Sequence, residues 1–269
     1  MSLQFGDRPM QTLTPLDLPT QLQFAADLTA SLAGIEQLTA RIVAVRRTVP
    51  GRIAFSTSLG IEDQAVLHAI AAAGCEIDVF TLDTGRLFAE TIDTLAASEQ
   101  QFGLKIRVLT PDASATEALV ARDGALGFRS SITARRACCD VRKVAPLTRA
   151  LAGASGWITG LRQGQSQGRA DVPFASWDAA FGLIKINPIA DWSLDRLEAY
   201  VSSHGIPVNP LHARGFPSIG CQPCTRAIGP GDDIRAGRWW WEQADGKECG
   251  LHNRPVITAA TRDLSGPAS

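Results

Sequence analysis

Net charge is nearly absent from this 269-residue chain, which sets 26 Lys and Arg against 27 Asp and Glu for a formal charge of -1. That balance removes the bulk-electrostatic route to nucleic acid or to an acidic membrane and points to small-molecule chemistry. Long hydrophobic runs are missing as well, and residues 1–20 hold no apolar stretch behind a basic start. No membrane partner and a cytoplasmic location are therefore expected. The chain carries no internal repeat and no low-complexity tract. Histidine is scarce, and the four present offer no general-base constellation. His68 and His204 read as helix residues with structural roles.

What is present is an ordinary globular composition, 45% hydrophobic and 20% charged, with enough length to bury a large core. The expected organisation is a flexible arm over 1–20, a single α/β domain over 21–235, and a tail over 236–269. Helices are expected between about Leu22 and Arg47. Apolar runs at Arg52–Ser56, Ile77–Leu82, Lys105–Leu109, Trp157–Thr159 and Leu183–Ile186 read as strands, with helical patterns at Glu62–Ala73 and Phe88–Phe102 between them. Strands alternating with helices imply a Rossmann-like, mostly parallel sheet. Ligands of such sheets sit beyond the carboxyl ends of the strands. The loops at Thr57–Ile61, Asp83–Leu87 and Gly160–Arg169 should then converge on one crevice.

After the first strand comes Ser56-Thr57-Ser58-Leu59-Gly60-Ile61-Glu62-Asp63, a small-residue turn that opens a helix. Free N–H groups and a helix dipole there suit an anionic group, although a plain capped turn reads the same way. It is not a Walker loop. The second strand ends in Leu82-Asp83-Thr84-Gly85-Arg86, where Gly85 lets the backbone approach a ligand and Asp83 or Thr84 can hydrogen-bond a ribose or base edge. Two such turns on adjacent strands favour a nucleotide crevice.

Six cysteines stand at 75, 138, 139, 221, 224 and 249. A cytosolic chain uses such clusters for metal binding or catalysis more often than for disulfides. Cys138-Cys139 and the Cys221-Gln222-Pro223-Cys224 turn form two close pairs, a four-thiolate set that zinc and iron-sulfur clusters both accept. Adjacent ligands on a helix project about 100° apart, which suits a larger cluster better than one small tetrahedral ion. Cys75 reads as a small core residue.

These segments together resemble the bacterial adenylyl-sulfate reductases of the phosphoadenylyl-sulfate reductase family. The resemblance runs from about Ile53 to His252. It is carried by Ser56 to Asp63, Leu82 to Phe88, Arg136 to Lys143, Gly160-Leu161-Arg162 with Gln165-Ser166, Asn209-Pro210-Leu211-His212 through Ala227, and Lys247-Glu248-Cys249-Gly250-Leu251-His252. The resemblance implies a fold of the adenine nucleotide alpha-hydrolase or PP-loop type and a 4Fe-4S cluster on Cys138, Cys139, Cys221 and Cys224. It implies adenylyl sulfate as substrate, thioredoxin or glutaredoxin as electron donor, and a homo-oligomer. Substrate contacts are expected from Ser56, Ser58, Gly60, Asp63, Leu82, Thr84, Gly85, Lys143, Arg162, Arg235 and Arg238.

Cys249 stands apart from the four candidate ligands, between Lys247 and His252. Exposure and nearby positive charge favour its thiolate, while Glu248 opposes it. The expected chemistry is attack of Cys249 on the sulfate sulfur, departure of AMP, and release of sulfite from the S-sulfonated cysteine by a reductant thiol. A thiolate meeting an anionic sulfo group needs fixed positive charge, for which Lys143, Arg162, Arg235 and Arg238 are the candidates and Arg169 a weaker one. Trp239-Trp240-Trp241 read as packing that anchors the tail. Three other readings stay open: a phosphoadenylyl-sulfate or dual-substrate reductase, an ATP-consuming sulfurtransferase or ligase on the same fold, and a zinc-stabilised nucleotide-binding protein without catalysis. The second lacks the Ser-Gly-Gly-x-Asp-Ser loop of its class, and the third leaves the Cys249 tail without a purpose.

Overall fold

A computed structural model describes residues 17–165 and 171–242, together with the backbone of a short strand at 256–257. Helix α1 (Leu18–Ala33) starts four residues before the expected Leu22. The Asp17 side chain accepts the Thr20 N–H as an N-cap, and a proline sits in the first turn. Helix α2 (Leu38–Thr48) follows, and then β1 (Ile53–Thr57), α3 (Ile61–Ala73), β2 (Asp78–Leu82), α4 (Ala89–Phe102) and β3 (Arg107–Leu109) repeat the strand-helix rhythm read from the sequence. Helix α3 stops where Gly74 takes φ 60°, the left-handed turn open to glycine.

Helices α5 (Ala113–Asp123), α6 (Ile132–Cys139) and α7 (Ala145–Leu151) come next, with a π-helical turn at Asp140–Val144 joining the last two. Strands β4 (Gly156–Ile158), β5 (Ala175–Asp178) and β6 (Leu183–Ile186), helix α8 (Leu194–Ser203) and β7 (Val256–Ile257) complete the described elements. The sheet order is β3-β2-β1-β4-β6-β5-β7. From β3 to β6 neighbours pair in parallel, and β5 runs antiparallel to both β6 and β7. This is the mostly parallel α/β sheet expected from the sequence.

Alternate residues of each strand feed two cores, as a doubly covered sheet requires. Ile53, Phe55, Val79, Ile158, Ile184 and Ile186 pack with buried residues of α1, α2, α3 and α8 on one face. Ala54, Phe80, Trp157 and Leu183 pack under Leu147, Ala150 and Leu151 of α7 on the other. Chain direction through the sheet reverses between β1 and β4, the switch point at which ligands bind in such sheets. Among the described residues, no helix is long and apolar enough to cross a membrane.

Candidate functional site

The three loops expected to converge do so at this switch point. Ser56 at the end of β1 with Ser58 and Gly60 beyond it, Leu82 closing β2 with Thr84 beyond it, and Gly160 and Gln165 after β4 line one cleft of about 230 Å³. Asp63, Lys143, Arg235 and Arg238 line it too, so nine of the eleven expected contact residues meet there. Gly85 and Arg162 do not line it. Gly85 lies behind, at φ 68°, where an added Cβ would stand 3.4 Å from the Arg142 guanidinium. Arg162 is buried, and its Nε pairs with Glu62 Oε1 at 3.2 Å. Cys249, Arg169 and Ser166 fall outside the described residues.

The turn after β1 is closed on itself. Asp63 Oδ2 accepts both the backbone N–H and the hydroxyl of Ser58 at 2.6 Å, and Thr57 Oγ1 accepts the Leu59 N–H at 3.0 Å. Leu59 is held at φ 61°, a costly conformation for a branched side chain that the surrounding bonds over-determine. A Cβ on Gly160 would fall 2.2 Å from Asp63 Oδ1, so the backbone after β4 is pressed against this carboxylate. Loss of water around Asp63 outweighs the Ser58 hydrogen bonds and pushes its carboxyl up to about 6, with Glu62 adding to the rise. The start of α3 thus presents carboxylates to the cleft, and both Ser58 donors are taken by Asp63.

A second set of groups is cationic and belongs to the cysteines. Cys138 and Cys139 close α6, and the following π turn, a distortion common at functional sites, places Arg142 and Lys143. Arg142 is buried and donates from Nη1 to the Thr84 carbonyl at 2.7 Å. Cys221 and Cys224 are buried with Phe128 and Trp239, and Cys138 packs against them. The Gln222 N–H bonds the Arg86 carbonyl at 2.8 Å, tying the C-x-x-C turn to the loop after β2. Cys221 Sγ and Thr84 Oγ1 are 3.3 Å apart, so a cleft residue touches the cysteine set directly.

The thiols feel one another and the cations around them. Burial pushes the Cys224 thiol up to about 12, with Cys221, Cys139 and Cys138 raising it further against Lys143. Burial also acts on Cys221, but Lys143, the Thr84 hydrogen bond, Arg238 and Arg86 outweigh it and hold that thiol below its ordinary value. Among the described residues, no three His, Cys, Asp or Glu side chains are placed to hold a single metal ion. Four mutually coupled sulfurs surrounded by guanidinium and ammonium groups nevertheless make a donor set that fits an anionic thiolate-ligated cluster. Cys75 is half-buried just past the end of α3, away from this set.

The start of the expected tail is built into this region. Arg226 N–H bonds the Gly237 carbonyl at 3.0 Å and Trp239 N–H the Cys224 carbonyl at 3.1 Å, laying 237–239 along the C-x-x-C segment. Gly237 permits the approach, since a Cβ there would lie 2.2 Å from the Arg226 carbonyl oxygen. Arg238 Nη1 reaches Ser218 Oγ at 3.2 Å, and its guanidinium covers the Trp239 ring at 4.8 Å. The anchoring role read for the tryptophans matches Trp239, which is fully buried, and Trp241, which meets the Phe128 ring edge-on. Sequence reading missed the buried pair of Arg135 with Glu242. It also gave no role to His212, which lines the cleft.

Comparison with known proteins follows the same outline. Residues 52–227 match the model of the phosphoadenosine phosphosulfate reductase domain. The chain is 54% identical over 227 residues to a protein of Agrobacterium fabrum named adenosine 5'-phosphosulfate reductase, covering 84% of this chain and 86% of that one. A Burkholderia cepacia protein of the same name is 46% identical over 245 residues, 91% of this chain and 98% of its own. Among solved structures, the phosphoadenylyl-sulfate reductase of Candida auris in a phosphate complex superposes with a TM-score of 0.65 at 22% identity. That alignment covers 76% of this chain and 96% of the other, and it shows a shared fold.

Proposed function

The chain belongs to the phosphoadenosine phosphosulfate reductase domain family, with its PP-loop type of fold, and on that premise we propose how it carries out its reaction. It is an adenylyl-sulfate reductase of sulfate assimilation, an oxidoreductase acting on a sulfur group, as its bacterial relatives are named. Sulfite and AMP are its products, and a reductant protein supplies the electrons. We assign Cys249 as the nucleophile, thioredoxin or glutaredoxin as the reductant, and Cys138, Cys139, Cys221 and Cys224 as ligands of a 4Fe-4S cluster. A cytoplasmic homo-oligomer completes the reading.

One observation carries it: the nucleotide cleft and the four-cysteine set share a wall. Thr84 and Lys143 line the cleft, and each also acts on Cys221. When bound, the cluster supplies a compact charged body of iron and sulfide beside the cleft. Lys143, Arg235 and Arg238 offer positive charge at that side for the oxygens of the phosphosulfate. Fixed cations in a water-poor cleft offset the repulsion between a thiolate and an anionic sulfo group. The Cys249 thiolate attacks the sulfate sulfur, the bond from that sulfur to the phosphate oxygen breaks, and AMP leaves with the electron pair. A reductant thiolate then attacks Cys249 Sγ and displaces sulfite. The mixed disulfide is resolved by the second thiol of the reductant, which returns Cys249 as a thiol.

Cys249 lies seven positions beyond Glu242, where the described chain is anchored next to the cysteine set. The test is sulfite release by anaerobically purified protein with reduced thioredoxin, on adenylyl sulfate and on its 3'-phosphorylated form side by side. Strong preference for adenylyl sulfate is expected, with iron and acid-labile sulfide in stoichiometric amounts. A Cys249→Ser protein should keep its iron and its affinity for AMP while losing turnover. Full activity in that variant would remove Cys249 from the mechanism, and colourless zinc-loaded protein would remove the cluster.

A further inference from the structure

His212 occupies the turn after α8 and lines the cleft, yet the chemistry above gives it no task. Its Nδ1 stands 3.0 Å from the Phe216 carbonyl oxygen. A carbonyl only accepts, so Nδ1 carries the hydrogen and the lone pair of the neutral ring is on Nε2. That Nε2 is buried and meets no partner among the described residues. Loss of water lowers the imidazole's affinity for a proton, against the pull of Glu62 and the Phe216 carbonyl, so the ring stays neutral near pH 7. An acceptor without a described partner therefore lies in the wall of the cleft, and a buried acceptor left unmet is costly until a donor reaches it.

The chemistry of the cleft says which donor that is. Its charged groups divide into two neighbourhoods. Lys143 and Arg238 act on Cys221 at the cysteine side, while Glu62 acts on both His212 and Asp63. The anionic phosphosulfate belongs with the cations, which leaves the acceptor neighbourhood to the neutral, hydroxyl-bearing part of the nucleotide. Resting on the reading of the chain as an adenylyl-sulfate reductase, we propose that His212 Nε2 accepts a hydrogen bond from the ribose 3'-hydroxyl and makes the site selective against a 3'-phosphate. A phosphate at that position, mostly a dianion at pH 7, offers no hydrogen to the Nε2 lone pair. The discrimination is of the kind in which a site built to pair with a hydroxyl rejects the analogue that lacks it.

Calorimetric binding of AMP, 3'-deoxy-AMP and adenosine 3',5'-bisphosphate to the intact protein tests this without turnover. The wild-type protein should prefer AMP over 3'-deoxy-AMP by roughly 2- to 10-fold, the worth of one neutral hydrogen bond, and should bind the bisphosphate more weakly than AMP. In His212→Asn the side-chain amide can still donate to the Phe216 carbonyl, but the Nε2 acceptor is gone. Its AMP to 3'-deoxy-AMP ratio should fall to about one. His212→Gln, which restores an acceptor near the Nε2 position, should recover the preference. Should the Asn variant not fold, nitrogen-15 NMR of the wild-type histidines gives the same information, since only four must be assigned. The His212 Nε2 signal should move with AMP and stay in place with 3'-deoxy-AMP. Equal weakening of all three ligands in the variants, or an Nε2 signal indifferent to the 3'-hydroxyl, overturns the proposal. Absence of sulfite release from adenylyl sulfate by the wild-type protein would instead overturn the functional reading beneath it.

Discussion

Glu242 is the last residue of the main described segment, and its carboxylate meets Arg135 Nε at 2.5 Å with the two side chains 4% and 3% exposed. The guanidinium also lies 4.4 Å above the Trp239 ring. Arg135 sits on α6, one turn before Cys138, so the pair clamps the approach to Cys249 onto the helix that carries two of the cysteines. Glu242→Gln keeps the shape and removes the carboxylate charge that this buried guanidinium faces. Breaking such a pair from one side costs about 3–5 kcal/mol. Spread over a domain of this size, that is a fall of roughly 6–20 °C in the melting midpoint if the clamp unfolds with the rest. If the clamp opens on its own, amide exchange at 237–242 should rise by several orders of magnitude while the midpoint barely moves. Either way sulfite release should fall, and AMP affinity should fall much less. A Glu242→Gln protein within about 1 kcal/mol of wild type, with unchanged exchange and turnover, would refute the clamp.

Three further perturbations have signs fixed by the structure. Gly220→Ala puts a Cβ 2.3 Å from Arg238 Nη2, so the guanidinium must shift, and adenylyl sulfate should bind about tenfold more weakly while adenosine is unaffected. Equal loss for both ligands would contradict a role for Arg238 at the anion. Lys143→Met should cut turnover by about 10²–10³-fold with a smaller effect on AMP binding, and wild-type turnover would remove Lys143 from the charge-stabilising set. Asp63 binds its proton more tightly in the folded chain, about 6 against an ordinary 3.8, so the stability that proton contributes is full below pH 3.8 and lost as pH rises through 6. Denaturant melts of wild type and Asp63→Asn should accordingly diverge between pH 4 and 6.5, wild type losing at most about 3 kcal/mol relative to the variant. Parallel stability curves would show that Asp63 titrates normally.

Much of the layout was legible because it rests on local pattern. The apolar run Leu183–Ile186 is β6 to the residue, and the two polar turns after β1 and β2 do line one cleft. Strand β5 went unread because its residues break the alternation. Ser176 and Asp178 are polar yet buried, and the Asp178 carboxylate takes the Ala180 and Phe181 N–H groups in the following turn. What stayed hidden was pairing over long sequence distance. Arg162 looked like a free cation for the sulfo group, but Glu62, a hundred positions earlier, holds it. The clamp between Arg135 and Glu242 spans an even longer separation. No local spacing signals either pair. The π turn after α6 is equally silent, since it depends on how the helix ends pack rather than on a residue motif.

Those hidden pairs decide where charge is available, and that in turn constrains the chemistry. The chain has nearly as many basic as acidic residues, so a cationic site for an anionic substrate arises only where basic groups are kept from carboxylates. Arg162 is committed to Glu62 and Arg135 to Glu242. Lys143 and Arg238 instead bear on the cysteine thiols, which are anionic only when deprotonated. Their positive charge is therefore conditional on the state of the sulfurs. With protonated thiols less of the positive charge of these two groups is offset by sulfur, and the cleft favours an anion more strongly. With a ligated, anionic cysteine set the field they offer the phosphosulfate is partly neutralised, so nucleotide affinity and occupancy of the cysteines cannot be independent. Thr84 strengthens that link, since one side chain both lines the cleft and lies against Cys221. The acceptor neighbourhood around Glu62, Asp63 and His212 lies outside this exchange. Ribose recognition can then stay constant while the field at the sulfo group changes with the sulfurs, separating selection of the nucleotide from activation of its sulfate.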